Sequence, residues 1–179
     1  MAIGAPLAVL DSILSGGKSA RLYRALVDQG LALSAGAGTN ASHDQSLHLI
    51  YASLAPDAKH AEVEKALLAT VEDIKTKGVT VAEVERVKRQ TRADKAYRRD
   101  GTAGVVSELN EAIASGDWTL YARFADAIER VTPGEVQRVA KAYLDEDQST
   151  TGWFVPTTTH TGPIANGKNP GESVAADAK

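Results

Sequence analysis

Ser15-Gly-Gly-Lys-Ser-Ala-Arg-Leu-Tyr-Arg-Ala-Leu-Val-Asp-Gln-Gly-Leu-Ala-Leu-Ser34 holds a glycine break, a helix and the start of a strand in one short stretch. Gly17-Lys18-Ser19 resembles the tail of a phosphate-binding loop, but that motif requires a glycine where Ser12 stands. A phosphate loop also follows a strand. Here Leu7, Leu10 and Leu14 recur at spacings of three and four, with Val9 and Ile13 beside them, which is helical periodicity. Gly16 and Gly17 therefore end a first helix, and Ser19 is expected to cap a second, Ala20 to Gln29.

Downstream, Leu31 to Asn40 alternates with a period of two, and its second face (Ala32, Ser34, Gly36, Gly38) carries only small residues. The polar run Asn40 to Gln45 reads as a turn. Leu47 to Leu54 returns, with Leu47, Leu49 and Tyr51 on one face and His48, Ile50 and Ala52 on the other, so the two segments are expected to form an antiparallel hairpin. Pro56-Asp57 opens a helix over Lys59 to Lys77, with Val63, Leu67, Val71 and Ile74 as its apolar stripe and Gly78 as its end.

Two further helix starts are written as capping boxes, Thr80-Val-Ala-Glu83 and Thr132-Pro-Gly-Glu135, each with a flanking valine pair, Val79 with Val84 and Val131 with Val136. The intervening pattern predicts helices from Val81 to about Arg99, Thr102 to Ser115, and Thr119 to Arg130 with Tyr121, Phe124 and Ile128 inward. A last helix runs to about Leu144. Thr150 to Val155 is the final strand candidate, and Trp118 and Trp153 are expected in core or interface packing.

The pattern predicts an α+β fold, an antiparallel-rich sheet with several helices packed on one face. The expected domain covers residues 1–157, with 158–179 as a linker or tail rich in Thr, Gly, Asn, Pro and Ala. Three strands are few for so many helices, so the chain reads as a piece of a longer polypeptide that lacks at least one strand.

Composition narrows function chiefly by exclusion. The chain has 179 residues, 43% hydrophobic and 24% charged, and a net charge of -3 steers it toward no nucleic acid or basic partner. Without cysteine it can form neither a disulfide nor a thiolate metal site. It contains no apolar run long enough for a membrane span. The basic residues between Arg86 and Arg99 are diluted by Glu83, Glu85, Asp94 and Asp100 and lack an aromatic platform, so they read as a solvated, ion-paired helix. Asp145-Glu-Asp147 reads as a solvated turn. His43, His48, His60 and His160 show no metal-ligand spacing and read as neutral turn or surface histidines.

The order of these parts is similar to that of the insulinase or pitrilysin zinc peptidases. The shared features are the leucine-rich helix, Gly-Gly-x-Ser-x-Arg-Leu-Tyr, Gly-Leu-Ala, the hairpin, and Val-Thr-Pro-Gly-Glu-Val-Gln-Arg-Val-Ala-Lys-Ala-Tyr-Leu, followed by a strand ending Val-Pro. The likeness covers about residues 5–157 and resembles the domain that follows the zinc-binding domain. In that family, His-x-x-Glu-His on a helix and a downstream glutamate bind zinc and activate water. This chain contains no such motif, so the resemblance implies no catalytic or metal residue here. Zinc is expected in a missing catalytic domain of the parent.

Some family members use an arginine and a tyrosine near this strand to hold the substrate carbonyl. The equivalent positions here are Leu26 or Val27 and Leu33, none of which can donate a hydrogen bond. The resemblance implies a noncatalytic chamber or substrate-binding domain of a zinc metalloendopeptidase, with peptide contacts at Leu33, Ser34, Ala35 and Gly36 and at Arg21 and Arg24. It also implies a partner in the zinc-binding domain of the same polypeptide or in another subunit, and a bacterial periplasmic location. The alternative is a structural or assembly subunit of the same fold without proteolysis.

Overall fold

The computed structural model describes residues 4–39, 44, 46–98 and 101–155. Helix α1 (Gly4–Ser15) is the hub. Val9, Leu10, Ile13 and Leu14 have no exposed area, and α1 packs against β1, α3, α5 and α6. Burying each such side chain contributes roughly 1.5–3 kcal/mol. The helix stops where Gly17 takes a positive φ of 83°, a conformation that is strained for a residue with a Cβ.

The second helix is shorter than its pattern predicts. Helical residues begin at Arg21, and Tyr23–Val27 form a π-helical turn in which the Asp28 N–H donates to the Tyr23 carbonyl at 3.0 Å. Leu22 and Leu26 are fully buried. The wider turn is a local insertion into the helix, which periodicity alone does not reveal.

Strands β1 (Ala32–Thr39) and β2 (His48–Leu54) pair antiparallel, as expected. Ala32 opposes Leu54 while Ser34 opposes Ser53, so Leu33 is the extra residue of a bulge. Beyond it Ala35, Ala37 and Thr39 oppose Ala52, Ile50 and His48. Ile50, Ala52 and Leu54 pack toward the core, whereas Leu49 and Tyr51 face outward. Gly36 is the close-approach point of the sheet. The Tyr51 ring lies across it, and a Cβ there would come within 2.5 Å of that ring.

Helices α2 (His60–Lys77), α3 (Val81–Arg98), α4 (Thr102–Ala114), α5 (Leu120–Glu129) and α6 (Pro133–Tyr143) follow, then a short 3₁₀ turn, Glu146–Gln148. Both capping boxes are formed. The Glu83 N–H donates to Thr80 Oγ1 at 3.2 Å and the Thr80 N–H to Glu83 Oε2 at 2.8 Å. Thr132 and Glu135 repeat the exchange at 3.3 and 2.8 Å. Val79, Val84, Val131 and Val136 are all buried. Three cations of the basic helix find partners within the chain. Arg86 donates to the Gly16 carbonyl at 3.1 Å, Lys88 pairs with Glu85, and Arg92 forms a two-pronged pair with Glu129.

Several expectations are corrected. Among the described residues the sheet has two strands. Thr150 to Val155 joins no ladder among the described residues. Instead the Trp153 ring stacks on His60 at 5.4 Å. Trp118 and Trp153 are 63% and 54% exposed, so of their two expected roles, core or interface packing, the core role does not hold among the described residues. On α5 only Ile128 is buried, while Tyr121 is half-buried and Phe124 is exposed. The 158–179 tail, His43 and His160 lie outside the described residues.

Candidate functional site

The hairpin's outer edge is capped at one end and open at the other. Thr39 and Ala37 sit in pairs whose N–H and C=O groups point away from β2. Side chains of α1 meet them. The Thr39 N–H donates to Asp11 Oδ2 at 3.1 Å, and Ser15 Oγ donates to the Ala37 carbonyl at 2.9 Å and to its own helix at the Asp11 carbonyl at 3.0 Å. Unpaired strand groups invite another strand, and these two side chains remove that option near the loop. No such cap reaches the Leu33 to Gly36 stretch among the described residues, and Leu33 and Ser34 are exposed.

His48 corrects the expectation of a surface or turn histidine. It occupies an inward position of β2, only 10% of its side chain is exposed, and Nε2 lies 2.7 Å from Asp11 Oδ1. One carboxylate thus holds both the last residue of β1 and the first of β2. Period-two alternation already places His48 on the Ile50 face, and that is the signal from which its burial is readable. Its partner eleven residues into the chain is not readable, because the contact is nonlocal.

Beside Asp11 and Thr39 lies a groove of about 390 Å³ between α1 and α5, with Leu7, Ala8, Leu120 and Phe124 in its walls. Thr39 Oγ1 is buried next to it without a hydrogen-bond partner among the described residues.

Arg21 and Arg24 part company. Arg21 is fully engaged: Nε and Nη2 grip Glu83 at 2.7 and 2.9 Å, Nη1 reaches Asp73 at 3.0 Å, and Nη2 also donates to the Gly78 carbonyl at 3.1 Å. It ties the π-helical turn to the end of α2 and the start of α3. The Arg21 hydrogen bonds, with help from Thr80, hold the Glu83 carboxyl down at about 2. Glu83 in turn raises the Arg21 guanidinium above its ordinary value. Asp73 is lowered chiefly by Lys77, with Arg21 contributing. Arg24 is exposed on the outer side of the same turn. The structure therefore does not gather Arg21 with Leu33, Ser34, Ala35 and Gly36. At the positions where the family resemblance would put a substrate-holding pair, Leu26 is fully buried and Leu33 is 67% exposed.

The donor set does not fit zinc. Among the described residues no group of three or more His, Asp or Glu could hold a metal ion. His48 Nε2 is already turned to Asp11.

The sequence profile of the Peptidase M16 inactive domain matches residues 4–91. A structure of the inactive peptidase domain of a protein assigned as a zinc protease in Bordetella parapertussis superposes with a TM-score of 0.78. It is 31% identical and is aligned over 88% of this chain and 84% of that one. The chain belongs to the Peptidase M16 family. It corresponds to the family's inactive domain. A Bordetella pertussis Tohama I protein assigned as a zinc protease gives the same TM-score and identity, with 87% of each chain aligned. The zinc protease PqqE of Helicobacter pylori is 26% identical over 151 residues, 84% of this chain. The M16 domain described here spans about a third (34%) of that curated relative's length.

Proposed function

We propose that this inactive domain receives extended peptide along β1 in a zinc metalloendopeptidase whose metal lies in another domain. The reading rests on one observation above all: Asp11 and Ser15 close the outer edge of β1 at Ala37 and Thr39, while Leu33 to Gly36 carries no cap. Ala35 lies in register with Ala37 and Thr39, so its N–H and C=O face the same outer side. A peptide that adds there bonds through its backbone, which tolerates varied side chains. Leu33, Ser34, Ala35 and Gly36 form the landing stretch. Arg24 is available at its flank, and Arg21 acts by fixing the turn that leads into β1.

Titration of the isotope-labelled chain with an extended, uncharged peptide tests this. The Ala35 amide resonance is expected to shift first, with those of α2 unmoved. A peptide that shifts no amide of β1 sinks the proposal and favours the structural-subunit alternative. On the family likeness we also place the parent protein in the bacterial periplasm; recovery of the parent in the cytoplasmic fraction alone would refute this. Among the described residues no helix is long and apolar enough to cross a membrane.

A further inference from the structure

On the outer face of the hairpin, Ser34, Gly36 and Gly38 of β1 lie opposite Ser53, Tyr51 and Leu49 of β2. Gly36 has no side chain, yet it is buried, because the Tyr51 ring crosses from β2 and lies on it. An aromatic over a strand glycine restores the cover that the glycine lacks. The far end of the ring supplies it here. The position of a Cβ on Gly36 is 2.5 Å from Tyr51 Cζ and Oη and 2.8 Å from Cε1. Tyr51 nevertheless remains 62% exposed. Its side chain starts on β2 and ends above β1, the strand whose outer edge is open beside Gly36 at Ala35.

That end point bears on any peptide added to β1. Ala35 turns its N–H and C=O outward, so Gly36 turns its own toward β2 and forms a non-hydrogen-bonded pair with an antiparallel added strand. In such a pair the Cα atoms come within about 4.5 Å and both side chains share one face. The peptide residue opposite Gly36 therefore projects on the outer face. Gly36 offers it no side chain, and the Tyr51 tip stands in that place. On the diagonal, a Cβ on Gly38 would meet nothing within 4 Å, so a large side chain has room. We propose that Tyr51 is a specificity-determining residue, whose ring over Gly36 selects an aromatic or large aliphatic side chain at the peptide residue opposite Gly36. The proposal deepens the reading of β1 as a peptide edge and rests on it. Backbone bonds tolerate varied sequences, and this one position adds a preference. A small polar side chain there leaves the ring in water, whereas an aromatic one packs against it.

Short host peptides of alternating serine and threonine, with one central guest of phenylalanine, leucine or serine, test this on the full chain through the Ala35 amide resonance. The phenylalanine guest is expected to bind about three- to tenfold more tightly than the serine guest, with Overhauser contacts between its ring and that of Tyr51. Tyr51→Phe should keep the preference and Tyr51→Ala should abolish it, with little risk to folding because the ring is exposed. Gly36→Ala is a second challenge. Its Cβ takes the space of the ring tip, so the ring must swing away and the preference should fall as in Tyr51→Ala. Added to Tyr51→Ala, it should change the preference no further. A preference that survives Tyr51→Ala overturns the proposal. The two readings fail separately. Ala35 shifts and affinities that are alike for every guest, with the Tyr51 ring unmoved, refute only the selection by Tyr51. No Ala35 shift with any guest refutes the peptide edge and the selection with it.

Discussion

Around α1 the chain buries Val9, Leu10, Ile13 and Leu14 completely, whereas α4 buries a single alanine, Ala112, and α5 a single large residue, Ile128. Both regions are amphipathic helix with comparable periodicity. The difference lies in how many neighbours the fold supplies. α1 meets a sheet and three helices, while α4 meets α5 alone among its substantial contacts. Amphipathicity records that a helix wants a partner, and only the tertiary arrangement says whether the same chain provides it.

The strongest way to break this contrast is to truncate a side chain in each region. Leu10→Ala is expected to lower unfolding free energy by about 2–5 kcal/mol, because removing a fully buried Leu side chain leaves a cavity. Ile113→Ala should stay within about 0.5 kcal/mol in the isolated chain. Urea midpoints of the two variants measure the difference, and equal losses would show that α4 belongs to the same core.

Acid titration probes the polar clamp of the packed region. Glu83 is held near 2 in the fold against an ordinary value of 4.5, so its contribution is fully present above pH 4.5 and is lost as pH falls toward 2. The pair is partly exposed and screened by solvent, so the clamp contributes on the order of 1–2 kcal/mol at neutral pH. Glu83→Gln should lower stability at pH 7 and flatten the fall of stability between pH 4.5 and 2. An unchanged acid profile would show that Arg21 does not hold this carboxylate in solution.

Helix starts sharpen the comparison on a smaller scale. α6 begins on a complete capping box, whereas α4 begins on Gly101 with no side-chain cap. Thr132→Ala is expected to cost about 1 kcal/mol, and Gly101→Ser to gain about 0.3 kcal/mol, by thermal unfolding. A large gain from Gly101→Ser would mean that α4 is limited by its start and not by its few neighbours. Smallest is Thr39→Val, which removes a buried hydroxyl that has no partner among the described residues. It should leave stability unchanged or raise it by up to about 1 kcal/mol. A loss of that size would reveal a hydrogen bond to Thr39 Oγ1.

What was legible in the sequence was mostly local. Thr80 with Glu83 and Thr132 with Glu135 announce helix starts three residues apart, and both boxes form. Alternation across Leu47 to Leu54 puts Ile50 and Tyr51 on opposite faces, and the structure turns the first inward and the second outward. The α+β class and the M16 likeness followed from the order of such pieces. What escaped was nonlocal or irregular. The π-helical turn at Tyr23–Val27 and the bulge at Leu33 each insert a residue that no periodicity predicts. Trp153-Phe154-Val155 has strand composition, yet strand composition cannot supply the neighbouring edge. The candidate edge was legible as a run of small residues, but its closure by Asp11 and Ser15 depends on contacts more than twenty residues apart in sequence (28 and 22).

Glu83 takes part in two events that are separate in most proteins. Its carboxylate closes the first turn of α3 on Thr80 and at the same time receives Arg21 from the turn before β1. The nucleation of one helix and the arrival of a distant segment therefore share a single group. A chain in which α3 has started is already prepared to receive Arg21, and a chain in which Arg21 has arrived holds the α3 start in place. Such mutual support makes partly assembled states costly, so the folding of α3 and the delivery of β1 to its place are expected to proceed as one cooperative step.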